Sequence, residues 1–127
     1  MPHITVEYSA NLDPVLDVPA LLQAVHRAAL ETGMVEIGGL RTRAERREHF
    51  VVANGNTANS FVAIRCRVGV GRDKATRAGF ANDVFAAAKG FLDAIFQTTP
   101  LAISLEVAEI DPVGSMRQNN LHARMRG

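Results

Sequence analysis

Twice along this chain an alternating strand gives way to an amphipathic helix and then to a second strand, and few folds accept that order. The first strand is Met1-Pro2-His3-Ile4-Thr5-Val6-Glu7-Tyr8, where Ile4, Val6 and Tyr8 alternate with His3, Thr5 and Glu7. Asn11 to Pro14 make a turn, and Asp17 is placed to cap a helix with Pro19 in its first turn. Val18, Leu21, Leu22, Val25, Ala28, Ala29 and Thr32 then recur at helical spacing, and Gly33 sits where such a helix ends. A second strand is expected over Val35 to Arg43, interrupted at Gly38-Gly39 by a bulge or a close backbone approach. A polar stretch from Thr42 to His49 leads into Phe50-Val51-Val52 and the turn signal Asn54-Gly55.

The second unit has the clearest strand. Val62, Ile64, Cys66, Val68 and Val70 face one way, and Phe61, Ala63, Arg65 and Arg67 face the other. After Gly69-Val70-Gly71-Arg72, Asp73 caps a long helix that runs to about Gln97. Its apolar face is built from Phe80, Val84, Ala88, Phe91 and Ile95, widened by Ala81, Phe85, Leu92 and Phe96. Pro100 ends it, and Leu101, Ile103, Leu105 and Val107 alternate along a fourth strand.

The expected architecture is α/β (α+β). Tandem βαβ units over residues 2–45 and 60–109 form a four-stranded mixed sheet with two helices on one face, and a tail follows over residues 111–127. The return strand of each unit is parallel to its first, because a helical crossover joins them. A hairpin between the units completes the sheet. The opposite face is then expected to carry apolar side chains that nothing in this chain covers, which implies oligomerisation.

Length fits one domain spanning residues 1–127. A net charge of +1 argues against nucleic acid as the main partner, and no apolar run approaches the length of a membrane span. The single cysteine, Cys66, rules out an internal disulfide framework and agrees with a reducing cytoplasm; on its apolar face it reads as a buried thiol. Twelve arginines against two lysines give the basic residues a planar, bidentate character suited to carboxylates.

One position offers acid–base chemistry. The alternation of the first strand carries Pro2 to the apolar face with Ile4. Removal of the initiator Met, usual before a small residue, turns its nitrogen into a secondary amine beside the core. Desolvation and neighbouring cations lower such an amine's pKa, which makes it a candidate general base near neutrality. If Met1 stays, that nitrogen is a tertiary amide with no basicity.

The other motifs are weaker. Gly69-Val70-Gly71 lacks the third glycine of a dinucleotide loop, with Lys74 in its place, and does not fit a P-loop. It does set Arg72 at a helix N-terminus, where an anion is favoured. Arg41, Arg43, Arg46 and Arg47, interleaved with Glu45 and Glu48, read mostly as a solvated strand edge, with Arg41 nearest the core. His3, His26, His49 and His122 show no metal-ligand spacing, and no nucleophile–histidine pair stands out.

Four segments in order resemble one family. Pro2-His3-Ile4-Thr5-Val6-Glu7-Tyr8-Ser9, Gly39-Leu40-Arg41-Thr42-Arg43, Val68-Gly69-Val70-Gly71-Arg72 and Gln118-Asn119-Asn120-Leu121-His122-Ala123 are similar to 5-carboxymethyl-2-hydroxymuconate Δ-isomerase. That family lies in the tautomerase superfamily with 4-oxalocrotonate tautomerase and macrophage migration inhibitory factor. The resemblance implies a homotrimer of βαβ-βαβ subunits and a cofactor-free isomerase of homoprotocatechuate breakdown, acting on a small dicarboxylate or tricarboxylate. It places the family's proton-carrying proline on Pro2 and its two substrate-binding arginines on Arg41 and Arg72. The stretch Ala44 to His49 is more charged than the family's apolar, aromatic one, which bears on substrate choice wherever it lines the pocket. Two alternatives stand beside this reading: a tautomerase acting on another unsaturated keto or enol acid, and a non-catalytic oligomeric binder of an anion.

Overall fold

The computed structural model describes residues 1–126, so the last residue of the 111–127 tail lies outside it. Strand β1 (His3–Ser9) leads through a 3-10 turn at Ala10–Leu12 into helix α1 (Val18–Glu31) and strand β2 (Arg41–Arg47). Strand β3 (Ser60–Gly69), helix α2 (Lys74–Thr98) and strand β4 (Leu101–Ile110) form the second unit, and a short helix α3 (Leu121–Arg126) ends the chain.

Local chemistry sets the helix ends. The Asp17 carboxylate accepts from the Ala20 N–H at 3.1 Å, and Asp73 accepts from the Thr76 N–H at 2.8 Å. Gly33, at φ +73°, takes the left-handed conformation that lets the chain leave α1. Of the apolar face expected for α2, Phe80, Val84, Ala88 and Leu92 form the buried column, while Phe91 and Ile95 pack at its margin and Phe96 is exposed. The i, i+4 column is the stripe nearest the sheet, so Leu92 belongs to the core and Phe91 to its edge.

The sheet order is β2-β1-β3-β4, with β1 parallel to β2, β3 parallel to β4, and β1 antiparallel to β3. Each βαβ unit closes as the sequence predicts. The join between them does not, because β1 lies between β2 and β3 and no hairpin forms. Residues 48–59 instead cross the end of β1, held there by Asn11, whose amide donates to the Thr57 and Asn59 carbonyls at 3.1 and 2.8 Å.

Strand β2 also starts later than the pattern predicts. Residues 36–40 form a turn in which the Gly39 and Leu40 N–H groups donate to the Glu36 carbonyl, and pairing begins at Arg41 and runs to Arg47. The alternating charges of Thr42 to Arg47 are edge-strand chemistry, with Arg46 on Asp13 at 2.8 Å and Arg47 on Glu7 at 2.7 Å.

One sheet face buries Ile4, Val6, Tyr8, Val62, Ile64, Cys66 and Val68 under α1 and α2. Burial pushes the Cys66 thiol up to about 12, which leaves it protonated and inert. The opposite face overturns the expectation of an uncovered apolar surface. Register places Arg41, His3 and Arg67 in one row and Arg43, Thr5 and Arg65 in the next. Beyond them Glu45 and Glu7 form a third row, with Arg47 paired to Glu7 and Glu45 and Arg65 reaching Glu45 at 3.7 Å. A face so charged is content in water and supplies no hydrophobic argument for assembly.

Candidate active site

Pro2 stands one residue ahead of β1, and its carbonyl accepts the Arg41 N–H at 3.2 Å, which locks it into the parallel ladder. It is half-buried and lines a cavity of about 320 Å³ at the end of the sheet. Val35, Val68 and Val70 supply apolar wall; Glu36, Arg72, Arg117 and His122 supply charge and imidazole. A larger groove of about 500 Å³ runs against α1, lined by Pro19, Leu22, Gln23, His26 and Thr42. It brings no arginine or lysine, and convergent polar groups, not volume, mark the site.

Arg72 reaches this cavity because β3 ends just before it. Its guanidinium folds back to donate to the Met34 carbonyl at 2.7 Å and the Gly69 carbonyl at 3.3 Å. Two backbone acceptors therefore fix the fork and leave its remaining donors to face the cavity. Arg41 is placed differently. It pairs in register with His3 on the open face, where its Nη1 lies 3.3 Å from His3 Nε2, and it borders a neighbouring cavity with Asn119 and Leu121. So the structure brings Pro2 and Arg72 together and sets Arg41 on the far side of Met1. The charged stretch after Arg43 lines none of this cavity.

Met1 is the divider. Its Sδ accepts from Arg41 Nη2 at 3.8 Å and from Asn119 Nδ2 at 3.4 Å, and it lines the Pro2 cavity as well. Burial holds the Met1 amine below its ordinary value, and Arg117, Arg41 and Arg72 add to that shift. An amine in this place gives up its proton more readily than one in water.

The C-terminal tail brings residues to the site that no spacing in the sequence connects with position 2. Asn119 Nδ2 donates to the Gly38 carbonyl at 2.9 Å, and Asn119 Oδ1 accepts the Leu121 N–H to start α3. His122 then lies against the 36–40 turn, with Nδ1 3.2 Å from Glu36 Oε2. Gly38-Gly39 is the close approach expected there: a Cβ on Gly38 would sit 2.7 Å from the His122 Cα, and one on Gly39 3.4 Å from the Pro2 Cδ. The Gln118-to-Ala123 segment was the only signal for these residues, and it carried no spacing that ties it to position 2.

That packing makes a test. Gly38→Ala forces the His122 backbone away, at about 1–3 kcal/mol, as overfilled contacts do. The tail, held by few bonds, gives way before the sheet. Trypsin should then cut after Arg117 faster than in the unsubstituted protein, with little change at β3; equal cleavage would show that the tail is not seated on Gly38.

Among the described residues no group of three or more His, Cys, Asp or Glu side chains could hold a metal ion, and no helix is long and apolar enough to cross a membrane. The family model for 5-carboxymethyl-2-hydroxymuconate isomerase matches residues 2–125. The chain is 30% identical over 123 residues to the 5-carboxymethyl-2-hydroxymuconate Delta-isomerase of Escherichia coli, covering 97% of this chain and 98% of that one. The crystal structure of a 5-carboxymethyl-2-hydroxymuconate isomerase from Deinococcus radiodurans R1 superposes with a TM-score of 0.91 at 31% identity, covering 99% of this chain and 95% of that one. A fused 4-OT symmetric trimer shares the fold at a TM-score of 0.65 and 19% identity, covering 87% of this chain and 88% of that one.

Proposed function

The chain belongs to the 5-carboxymethyl-2-hydroxymuconate isomerase family, and from that premise we propose that it moves a proton within 5-carboxymethyl-2-hydroxymuconate, with Pro2 as the general base. The observation that carries this reading is the cavity in which Pro2 and Arg72 meet. The Met1 amine beside it is lowered first by burial and then by three guanidiniums, surroundings that the Pro2 nitrogen shares.

Loss of Met1 does two things at once. It turns the Pro2 nitrogen from an amide into a secondary amine, and it vacates the space that separates Arg41 and Asn119 from the cavity. The amine takes the proton of the 2-hydroxyl, and the electron pair moves through the diene. The C2–O bond becomes a carbonyl, the double bond settles between C-3 and C-4, and the proton returns at C-5. Arg72 and Arg41 bind carboxylates of the dienol and stabilise the negative charge that spreads along it. Val35, Val68 and Val70 keep that charge out of bulk water, which strengthens each contact. No bond in this sequence calls for a cofactor.

The role fits homoprotocatechuate degradation in the cytoplasm, by a homotrimer like the fused 4-OT. Support for the trimer comes from the likeness of fold and not from an apolar sheet face. Sedimentation of the purified protein checks it: three chains per particle is expected.

Two measurements test the function. Mass spectrometry of the protein from cells should show a chain beginning at Pro2, and an ultraviolet assay should show ketonisation of the carboxymethyl dienol. A chain that keeps Met1 in full, with no turnover, would leave a binder of anionic metabolites as the better reading. Turnover of simpler 2-hydroxydienoates alone would make it a tautomerase of another acid.

A further inference from the structure

We propose that Arg117 is a specificity-determining residue that binds the carboxymethyl carboxylate, the group by which this substrate differs from a plain 2-hydroxymuconate. The inference rests on the function proposed above and goes further, to a residue and a part of the substrate.

The substrate named for the family carries three carboxylates, and the cavity with its neighbouring space carries three arginines. Arg72 has two nitrogens committed to backbone carbonyls. Arg41 lies against His3 across the sheet end and, until Met1 is removed, against the Met1 sulfur as well, which leaves it one carboxylate in the processed enzyme. Arg117 lines the Pro2 cavity and also the adjoining one of about 200 Å³ beside Gly69 and Ile110. Among the described residues its guanidinium makes no hydrogen bond and no ion pair, so its whole fork is free for a ligand. The nearby acid on the wall, Glu36, is taken by His122 Nδ1.

An arginine on irregular backbone is a poor selector unless its chain is held. Here it is held two residues on, where Asn119 is bonded to the Gly38 carbonyl and caps α3. The tail is thereby clamped to the turn that also abuts Pro2, and Arg117 stands over the junction of two cavities. A branched acid suits a branched space: the dienol chain in the Pro2 cavity and the short carboxymethyl arm towards the second. Field alone also reaches the amine, since Arg117 is the first cation among the causes that lower the Met1 amine. A general field effect and a specific carboxylate contact predict different kinetics.

The experiment uses Arg117→Ala and Arg117→Lys in the processed enzyme, with thermal midpoints measured first. Each is assayed with 5-carboxymethyl-2-hydroxymuconate and with 2-hydroxymuconate, the same dienol without the arm. In Arg117→Ala, KM for the three-carboxylate compound should rise about tenfold to a hundredfold, as loss of a charge-assisted bond implies, while KM for the two-carboxylate compound moves less than about threefold. Arg117→Lys should recover most of the loss. Equal losses on both compounds, or no loss on either, overturn the assignment. An unsubstituted, Met1-free enzyme that turns over neither compound overturns the proposed function, and this inference with it.

Discussion

Replacing Pro2 by Ala is expected to lower kcat by about a hundredfold, while the fold and assembly persist. Met1 is removed before Ala as it is before Pro, so the variant still presents an amine at the cavity, but a primary one that turns freely about its bond to Cα. The ring of Pro2 fixes the direction of the nitrogen, and its carbonyl is tied to the Arg41 N–H. General acid–base catalysis contributes on the order of a hundredfold to ten-thousandfold, and a mispositioned base keeps part of it. A blocked N-terminus should cost more. One added residue that prevents processing leaves the nitrogen in a peptide bond, as in the Met1–Pro2 link, and turnover should fall to the limit of detection. Steady-state kinetics with mass-verified N-termini separates the two. Undiminished kcat in either protein would remove Pro2 from the mechanism.

The second large effect is expected at Arg72. Arg72→Ala should raise KM on the order of a hundredfold, the scale on which losing one partner of a desolvated, hydrogen-bonded charge pair is felt. kcat should fall less, because Pro2, the proposed base, is untouched. The substitution also removes a cation near the amine. A positive neighbour disfavours the ammonium form, so its loss lets the amine's pKa rise part of the way, while burial, the largest cause lowering the Met1 amine at the same place, remains. The base is active only when unprotonated. The acid limb of kcat/KM should therefore lie below about pH 8 in the parent enzyme and move upward in the variant. Arg72→Lys restores the charge without the fork that spans the Met34 and Gly69 carbonyls, so its pH limb should stay near the parent's while KM remains raised. An unmoved limb in Arg72→Ala would show that the guanidinium does not reach the amine.

Much of the scaffold was legible because it is written locally. Asp17, Asp73, Gly33 and Pro100 each act on the chain within a few residues of themselves, and the periods of 2 and 3.6 report which face is buried. The site was legible only in part. Pro2 could be read as a candidate base from the alternation of β1, and Arg72 as a candidate anion site from its place before a helix; the resemblance to a family added only the substrate. Asn119 and His122 were marked only by the Gln118-to-Ala123 resemblance and Arg117 by nothing, since an exposed arginine, an amide and a lone histidine in a polar tail have many ordinary explanations.

What the sequence determined by itself, then, was the order of the four strands and the two long helices, with the caps and inward faces of those helices; α3 in the tail was not among them. What only the tertiary structure decided was who stands next to whom. Strand β1 lies between β2 and β3, where the pattern pointed to a hairpin, and pairing of β2 begins at Arg41, where the glycine turn releases it. The open face is charged because register, and not composition, aligns its arginines and glutamates. The tail reaches Pro2 through a bond between Asn119 and Gly38, residues 81 positions apart. Helices and alternation arise from interactions a few residues long, so the sequence carries them on its surface. A contact across that many positions depends on every element between its ends, and no spacing within the tail encodes it.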